Sequence, residues 1–194
     1  YSLLYPYTDN YIDNPNVSRE EKDNFNIRLE GKLAGDFVIP ENQNEEKVFN
    51  LVEMIEQQFN RAIYPDVFES LIAIHAAQTK SIKLSSAKED ISEKELLHIS
   101  LEKGGTSVLA DGYLISGELN ESQKLFLFGF GAYLQLIDDL QDVQDDYSGK
   151  VKTIFSTAGN KLDNLIGQLN CFGERVLFGS GSFEFSEKYS AFEM

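Results

Sequence analysis

The chain has 194 residues, 42% of them hydrophobic, with one cysteine and no tryptophan. This composition fits a folded domain and excludes a disordered, collagen-like or disulfide-stapled chain. Lysine and arginine total 17 against 32 aspartate and glutamate residues, so the formal net charge is −15. That charge argues against a nucleic-acid partner, and an anionic ligand would need another source of positive charge, for which a divalent metal ion held by carboxylates is the candidate.

The sequence predicts no transmembrane helix. Its longest mostly apolar stretch, from Leu125 to Ile137, is shorter than the roughly 20 residues needed to cross hydrocarbon. The chain begins with Tyr1 and lacks the basic start of a signal peptide, so we expect a piece of a longer cytoplasmic protein. Peripheral contact with a membrane is compatible with the sequence.

Helix signals run through the chain, and its four prolines all lie in the first third. Ser18 and Glu21 have the spacing of a capping box, and Pro65 occupies the favoured first position of a helix. In chain order, we predict helices over residues 1–13, 18–34, 45–62, 65–84, 91–117, 121–146 and 153–177. The predicted fold is therefore all-α, a helical bundle in a single domain over residues 1–194.

The predicted fifth helix contains Gly104-Gly105, which we expect to interrupt it. Because glycine weakens a helix interior, the pair either frees carbonyl groups toward a cavity or makes a plain kink for packing. In the same helix, Asp111 lies in an apolar stretch and is expected to be buried. The sixth helix is apolar nearly all round over Leu125 to Ile137, which predicts a central position.

Two acidic clusters lie far apart in the sequence. The first contains Asp9 and Asp13, one helical turn apart. The second consists of Asp138, Asp139, Asp142, Asp145 and Asp146. Like charges at this spacing repel each other, and hard divalent cations with oxygen ligands would compensate them. Two such clusters facing each other would suit a diphosphate held through Mg²⁺, whereas either cluster alone also reads as a solvated acidic surface.

The second cluster carries a family resemblance. The segment Gln135-Leu136-Ile137-Asp138-Asp139-Leu140-Gln141-Asp142 resembles the second aspartate-rich motif of class I isoprenoid synthases, the all-α superfamily of trans-prenyl diphosphate synthases, squalene/phytoene synthases and class I terpene cyclases. Asp9-Asn10-x-x-Asp13 resembles the first motif in a weakened form, because Asn10 stands where chain-elongating synthases have an adjacent aspartate. Lys103-Gly104-Gly105-Thr106-Ser107 is similar to a bacterial branch of the superfamily. The cyclase Asn/Ser/Glu metal motif is absent.

The resemblance implies a cluster of three Mg²⁺ ions that holds an allylic prenyl diphosphate and promotes its ionisation, followed by coupling, cyclisation or water capture. The implied metal ligands are Asp9, Asp13, Asp138, Asp139, Asp142 and Asp146, of which all but Asp146 are also the implied catalytic residues. Asp139 is either a ligand itself or a partner of one. The resemblance further implies a homodimer, and the superfamily normally has several helices before the first motif, which this sequence lacks.

This chemistry also needs residues that contact the substrate. Our candidates are Arg28, His75, Gln78, Lys80, Lys103, Gln135 and Lys152. The cationic side chains would stabilise the leaving diphosphate, while the histidine and the glutamine near it on the fourth helix would line the pocket. The alternative interpretation makes the cations surface residues and His75 a core histidine with a satisfied hydrogen bond.

Two other functions stay open. Glu95 and His98 form the Glu-x-x-His pattern of di-iron carboxylate bundles, although such bundles need the pattern on two helices and this chain has it once. The other alternative is a non-catalytic protein of the isoprenoid synthase fold that binds an isoprenoid or a partner.

Overall fold

The computed structural model describes residues 4–12, 14, 16–86, 91–149 and 151–179. Over these residues the fold is all-α, which confirms the predicted class. The helices are α1 (Leu4–Ile12), α2 (Arg19–Ala34), α3 (Gln43–Gln58), α4 (Pro65–Ser86), α5 (Glu93–Ser116), α6 (Glu121–Gln141), α7 (Val143–Gly149) and α8 (Leu162–Phe178). None of the helices in these ranges combines the length and the apolar character that crossing a bilayer requires.

Local capping sets the ends of α2 and α3. Ser18 Oγ accepts a hydrogen bond from the Glu21 backbone N–H (3.2 Å), and the Ser18 N–H donates to Glu21 Oε2 (2.8 Å), which confirms the predicted capping box. Gly35 ends α2 in the left-handed conformation, with φ of 96°. Asn42 caps α3 by accepting hydrogen bonds from its first turn, so this helix begins two residues before the predicted start.

The predicted interruption of the fifth helix is wrong, because α5 runs unbroken through Gly104-Gly105. The predicted sixth helix is instead divided at Asp142 into α6 and α7. Backbone hydrogen bonding continues across this division, since the Asp142 N–H donates to the Asp138 carbonyl (2.9 Å) and the Asp146 N–H to the Asp142 carbonyl (2.8 Å).

The last helix begins nine residues later than predicted, at Leu162 rather than at Thr153. Thr153 and Ser156 form a turn in which each backbone N–H donates to the other's side-chain oxygen, at 2.8 and 3.1 Å. Gly159 then has φ of 55°, which an α-helix cannot include. These competing local bonds explain the difference, since serine and threonine offer the backbone alternatives to a helix.

The chain forms two compact units. The first contains Tyr1–His75 and Ala110–Glu118, and the second contains Ala76–Leu109 and Leu119–Met194. In the first unit α3 packs against α1 and α2, and the core includes Phe25, Leu29, Val48, Val52, Val67 and Leu71. The single domain over residues 1–194 stays a prediction.

The core of the second unit surrounds α6. Helix α6 packs against α7 and α8, and the buried cluster consists of Leu97, Leu101, Ala132, Leu136, Ile154, Phe155, Leu169, Phe172 and Val176. Tyr133 of α6 occupies the space beside Gly173 of α8, where an added Cβ would lie 2.5 Å from the tyrosine ring. Helix α6 thus contributes to this core, but Phe126 and Leu134 are 46% and 43% exposed, so the prediction that α6 is buried nearly all round is wrong at these two positions.

Helices α5 and α6 touch backbone to backbone at a glycine crossing formed by Gly104 and Gly131. A Cβ added to either glycine would overlap the carbonyl oxygen of the other. Next to the crossing, a Cβ on Gly105 would lie 2.6 Å from the Phe128 ring. The glycine pair therefore serves close helix packing, and the interpretation in which it frees carbonyl groups is wrong.

We predict that Gly104→Ala lowers the free energy of unfolding by about 3 kcal/mol, because the added methyl group must push α5 away from α6. Urea titration measures this change. Gly167→Ala is the matched control, since Gly167 lies in α8 with open space around its Cβ, and this substitution should leave stability unchanged or raise it by up to about 1 kcal/mol. Equal effects at the two positions would contradict the crossing.

Candidate functional site

The second acidic cluster lies where α6 ends and α7 begins. Asp138 and Asp139 are in the last turn of α6, Asp142 separates the two helices, and Asp145 and Asp146 are in the first turn of α7. Within the cluster Asp139 is only 7% exposed, Asp146 is half-buried and the other three are exposed. Because consecutive residues of a helix point about 100° apart, the two adjacent aspartates face different surroundings.

Asp139 is a buried carboxylate with both oxygens hydrogen-bonded. Its Oδ2 accepts from Ser100 Oγ of α5 (2.7 Å), and its Oδ1 accepts from Gln135 Nε2 one turn earlier on α6 (2.8 Å). Burial raises the pKa of Asp139 above its ordinary value, while the two hydrogen bonds and the charge of Lys103 lower it and the charge of Asp138 raises it. With 7% exposure and a hydrogen bond to each oxygen, Asp139 is less accessible to a metal ion than the exposed carboxylates of the cluster.

The surroundings of Asp146 show how close these carboxylates lie. Burial is the largest cause that raises the pKa of Asp146, and a hydrogen bond with the Thr153 side chain opposes it. Three other carboxylates raise this pKa further by their charge, in the order Asp139, Asp142 and Asp138. The cluster therefore repels itself, and a cation bound among its members would relieve that repulsion.

A cavity of about 240 Å³ borders the cluster. Its wall consists of the glycine crossing together with Ser107, Val108, Leu134, Gln135 and Asp138. Both crossing glycines therefore border this cavity directly. The volume falls below the roughly 300–1,000 Å³ of sites for drug-sized ligands, so the cavity suits an ion or a small polar group.

Two of the predicted substrate-binding cations are held in ion pairs. Lys80 Nζ lies 2.7 and 2.9 Å from the two carboxylate oxygens of Glu102 in the second unit. In the first unit, Arg28 Nε donates to Glu45 Oε2 at 3.0 Å, and Arg28 Nη1 lies 3.0 Å from Glu41 Oε1. The Glu45 side chain is fully buried, and its hydrogen bond is the main cause that raises the pKa of Arg28. The charge of Arg28 is therefore already neutralised.

The other two predicted cations are half-buried in the second unit. Lys103, on α5, is close enough to Asp139 for its charge to lower the pKa of that carboxyl. No carboxylate of the described residues lies within ion-pair distance of Lys103. Lys152 follows α7 and already has an interaction partner in the protein. Lys103 is therefore the cation with the best placement for an anionic ligand.

The first acidic cluster belongs to the first unit. Asp9 is on α1 but its side chain lies outside the described residues, as does all of Asp13. Asn10 is exposed, whereas Thr8 and Tyr11 are buried. Among the described side chains, no three histidine, cysteine, aspartate or glutamate groups converge as metal ligands. That the two clusters meet and share cations stays a prediction.

His75 and Gln78 are both buried on α4, with 5% and 8% exposure. His75 Nε2 lies 3.0 Å from the Asn26 carbonyl oxygen, so this nitrogen carries the proton. Burial is the main cause that lowers the pKa of His75, and the Asn26 hydrogen bond and the charge of Glu30 oppose it. These surroundings are those of a core histidine with a satisfied hydrogen bond.

Three polar residues singled out from the sequence lie at the surface of α5. Glu95 and His98 are both exposed, and His98 Nε2 lies 3.9 Å from Glu102 Oε2. Their exposure differs from the inward-facing ligands of a di-iron bundle. Asp111 is exposed as well, so the prediction that it is buried is wrong, although partial burial of its carboxyl raises the pKa.

Ser100 is a site residue that the sequence analysis missed. It is 5% exposed and lies between the buried residues Leu97 and Leu101 on α5. A serine on an apolar helix face signals a buried polar partner, because buried hydroxyl groups are nearly always hydrogen-bonded. The sequence could not name that partner, since Asp139 is 39 positions away.

Comparison with known proteins gives no relative: no family model matches the chain, and no match was found among curated proteins or solved structures. The site is therefore described by its own residues, which are a carboxylate at a cavity, a buried carboxylate behind it and a half-buried lysine nearby.

Arg28→Met tests whether Arg28 stabilises the first unit. The substitution leaves the buried Glu45 carboxylate without its charged partner, so we predict a loss of about 3–5 kcal/mol in the free energy of unfolding, measured by urea titration. Arg19→Met is the control, because Arg19 is exposed and 4.0 Å from the exposed Asp23, and it should cost less than about 1 kcal/mol. Similar losses in both variants would show that the buried pair adds nothing.

The burial of His75 predicts a pH dependence of stability. Burial holds the pKa of His75 in the folded protein below 6.5, the ordinary value that applies in the unfolded chain. The unfolded state therefore binds more protons, and stability is lost as the pH falls through that value, by up to about 1.4 kcal/mol per pH unit.

His75→Gln keeps a donor but cannot titrate, so its unfolding free energy should fall less between about pH 7 and 5 than that of the wild type. His98→Gln, at an exposed position, should follow the wild type. If all three proteins lose stability in parallel, His75 does not contribute to the pH dependence.

Proposed function

We propose that the protein is a Mg²⁺-dependent isoprenoid synthase that ionises an allylic prenyl diphosphate, after which coupling, cyclisation or water capture follows. The observation that carries this proposal is the division between adjacent aspartates at the end of α6. Asp138 borders a cavity, while Asp139 is hydrogen-bonded in the core. Because this segment resembles an aspartate-rich motif that binds Mg²⁺, we assign metal binding to Asp138, the aspartate at the cavity.

The donor groups of the site suit Mg²⁺. Asp138 and Asp142 present exposed carboxylate oxygens, and Gln135 adds an amide at the same cavity. Mg²⁺ prefers oxygen ligands and usually takes one or two protein carboxylates, with water and substrate phosphates completing its shell. The carboxylates of Asp138 and Asp142 are therefore enough for one side of such a site. When bound, the ion neutralises the diphosphate and stabilises negative charge on the leaving group.

Other residues of the second unit have roles that follow from their positions. Lys103 provides positive charge beside the cluster, where it would stabilise a diphosphate oxygen. Val108 and Leu134 add apolar side chains to the lining of the cavity. The cavity volume of about 240 Å³ suits the diphosphate end of the substrate better than a long prenyl chain.

The second candidate function is a non-catalytic protein of the same fold that binds an isoprenoid or a partner. It is favoured by the absence of three convergent ligating groups among the residues that the structure describes. Asn10, at a position where chain-elongating synthases have an aspartate, points the same way. A binding protein would retain its ligand in EDTA and release no pyrophosphate.

The test is release of pyrophosphate from geranyl, farnesyl or geranylgeranyl diphosphate in the presence of Mg²⁺. We predict release that EDTA abolishes and that Asp138→Asn lowers about 100-fold or more, because the substitution removes a charged ligand without changing the side-chain shape.

Asp145→Asn is the matched control, since it makes the same change of charge at an exposed residue of α7, and it should retain most of the activity. Release that is equal in the two variants would refute the role of Asp138. No release from any of the three substrates, together with binding that survives EDTA, would support the binding protein instead.

A further inference from the structure

Three residues form a continuous hydrogen-bond network behind the cavity. Ser100 of α5 donates to one oxygen of Asp139, and Gln135 of α6 donates to the other, at 2.7 and 2.8 Å. Ser100 and Asp139 are 5% and 7% exposed, so this Ser100–Asp139–Gln135 network is held inside the second unit. Of its members, Gln135 also lines the cavity.

The network fixes the orientation of the Gln135 amide. Gln135 Nε2 donates to Asp139 Oδ1, so the NH₂ group faces Asp139 and the carbonyl oxygen of the amide lies on its other side. Within the described part of the chain, Gln135 Oε1 accepts no hydrogen bond. Gln135 is half-buried and lines the cavity, so an amide oxygen without a protein partner there is open to a ligand or to water.

Asp138 places a second unused acceptor at the same cavity. Its carboxylate is exposed and accepts no hydrogen bond from the residues that the structure describes. Gln135 and Asp138 are three positions apart on α6, a spacing at which side chains lie on neighbouring parts of one helix face. The polar wall on α6 therefore consists of oxygen acceptors, which suit a cation and its bound water rather than an anion.

We propose that Ser100 and Asp139 are positioning residues, which turn the amide oxygen of Gln135 toward the cavity so that it binds a divalent cation together with Asp138. This inference rests on the proposed function for the identity of the cation. It changes the role of two residues: Gln135 acts on the cation rather than on the substrate directly, and Asp139 acts through Gln135 rather than as a ligand. It also gives Ser100 a role that the sequence did not indicate.

Binding of Mn²⁺ in place of Mg²⁺, measured by electron paramagnetic resonance without substrate, tests this assignment. Asp138→Asn first identifies which part of the Mn²⁺ binding belongs to this site, because a protein of net charge −15 also binds cations weakly elsewhere. At the Asp138-dependent site, we expect Ser100→Ala and Gln135→Leu each to weaken Mn²⁺ binding about 10-fold or more, in the range seen for partners of metal ligands.

Matched controls separate positioning from general damage. Ser122→Ala and Gln141→Leu make the same changes at exposed positions of α6 and should leave Mn²⁺ affinity unchanged. Ser100→Thr restores the hydroxyl group and should restore binding. Circular dichroism and thermal unfolding measure whether each variant is folded. If Ser100→Ala is unfolded, Gln135→Leu tests the assignment, because Gln135 is only half-buried.

The assignment is overturned if Mn²⁺ affinity is the same in wild type, Ser100→Ala and Gln135→Leu, or if no bound Mn²⁺ depends on Asp138. Its failure is distinguishable from that of the proposed function. Mn²⁺ binding that depends on the network without any pyrophosphate release would support the assignment and refute the synthase. Pyrophosphate release together with Mn²⁺ binding that Ser100→Ala and Gln135→Leu leave unchanged would support the synthase and overturn the assignment.

Discussion

The close approach of α5 and α6 at Gly104 and Gly131 determines how the site is arranged. With no side chain between the two backbones, Ser100 of α5 comes within hydrogen-bond distance of Asp139 of α6. A serine hydroxyl and a glutamine amide then offset part of the cost of burying the charge of this aspartate. Because neighbouring positions of a helix differ by about 100°, burial of one aspartate leaves the preceding one, Asp138, at the cavity.

The proposed binding of an anion by so acidic a protein depends on a cation at this site. Arg28 and Lys80 are already paired with glutamates, so their charges stabilise the protein rather than a ligand. The second acidic cluster has Lys103 nearby, and one lysine does not balance the aspartates that surround Asp146. A bound divalent cation would lower this negative charge and would give a diphosphate a positive group to bind.

The sequence predicted the features that depend on short-range chemistry. The capping box at Ser18 and the start of α4 at Pro65 are both confirmed. Gly104-Gly105 was misread because the effect of glycine depends on the helix that packs against it, which the local sequence does not show. The start of α8 was misplaced because Thr153 and Ser156 bond to each other's backbone before a helix can form.

For the candidate site, as for the fold, the sequence predicted the local features and missed those that depend on distant residues. Spacing identified Asp138 and Asp142 as available carboxylates, but it could not show that Asp139 faces the core, because its partner Ser100 comes from another helix. The ion pairs of Arg28 and Lys80 could not be predicted either, because their glutamate partners are 17 and 22 positions away in the sequence. The meeting of the first cluster with the second remains a prediction.

The glycine crossing also affects how mutational data on this protein should be interpreted. A methyl group at Gly104 would displace α5, and Ser100 lies one turn away on the same helix, so the shift would reach the carboxylate that orients Gln135. A screen for lost metal binding would then select Gly104 variants alongside variants of true ligands, although glycine has no atom that coordinates a cation. Genetic evidence alone would overestimate the size of the ligand set.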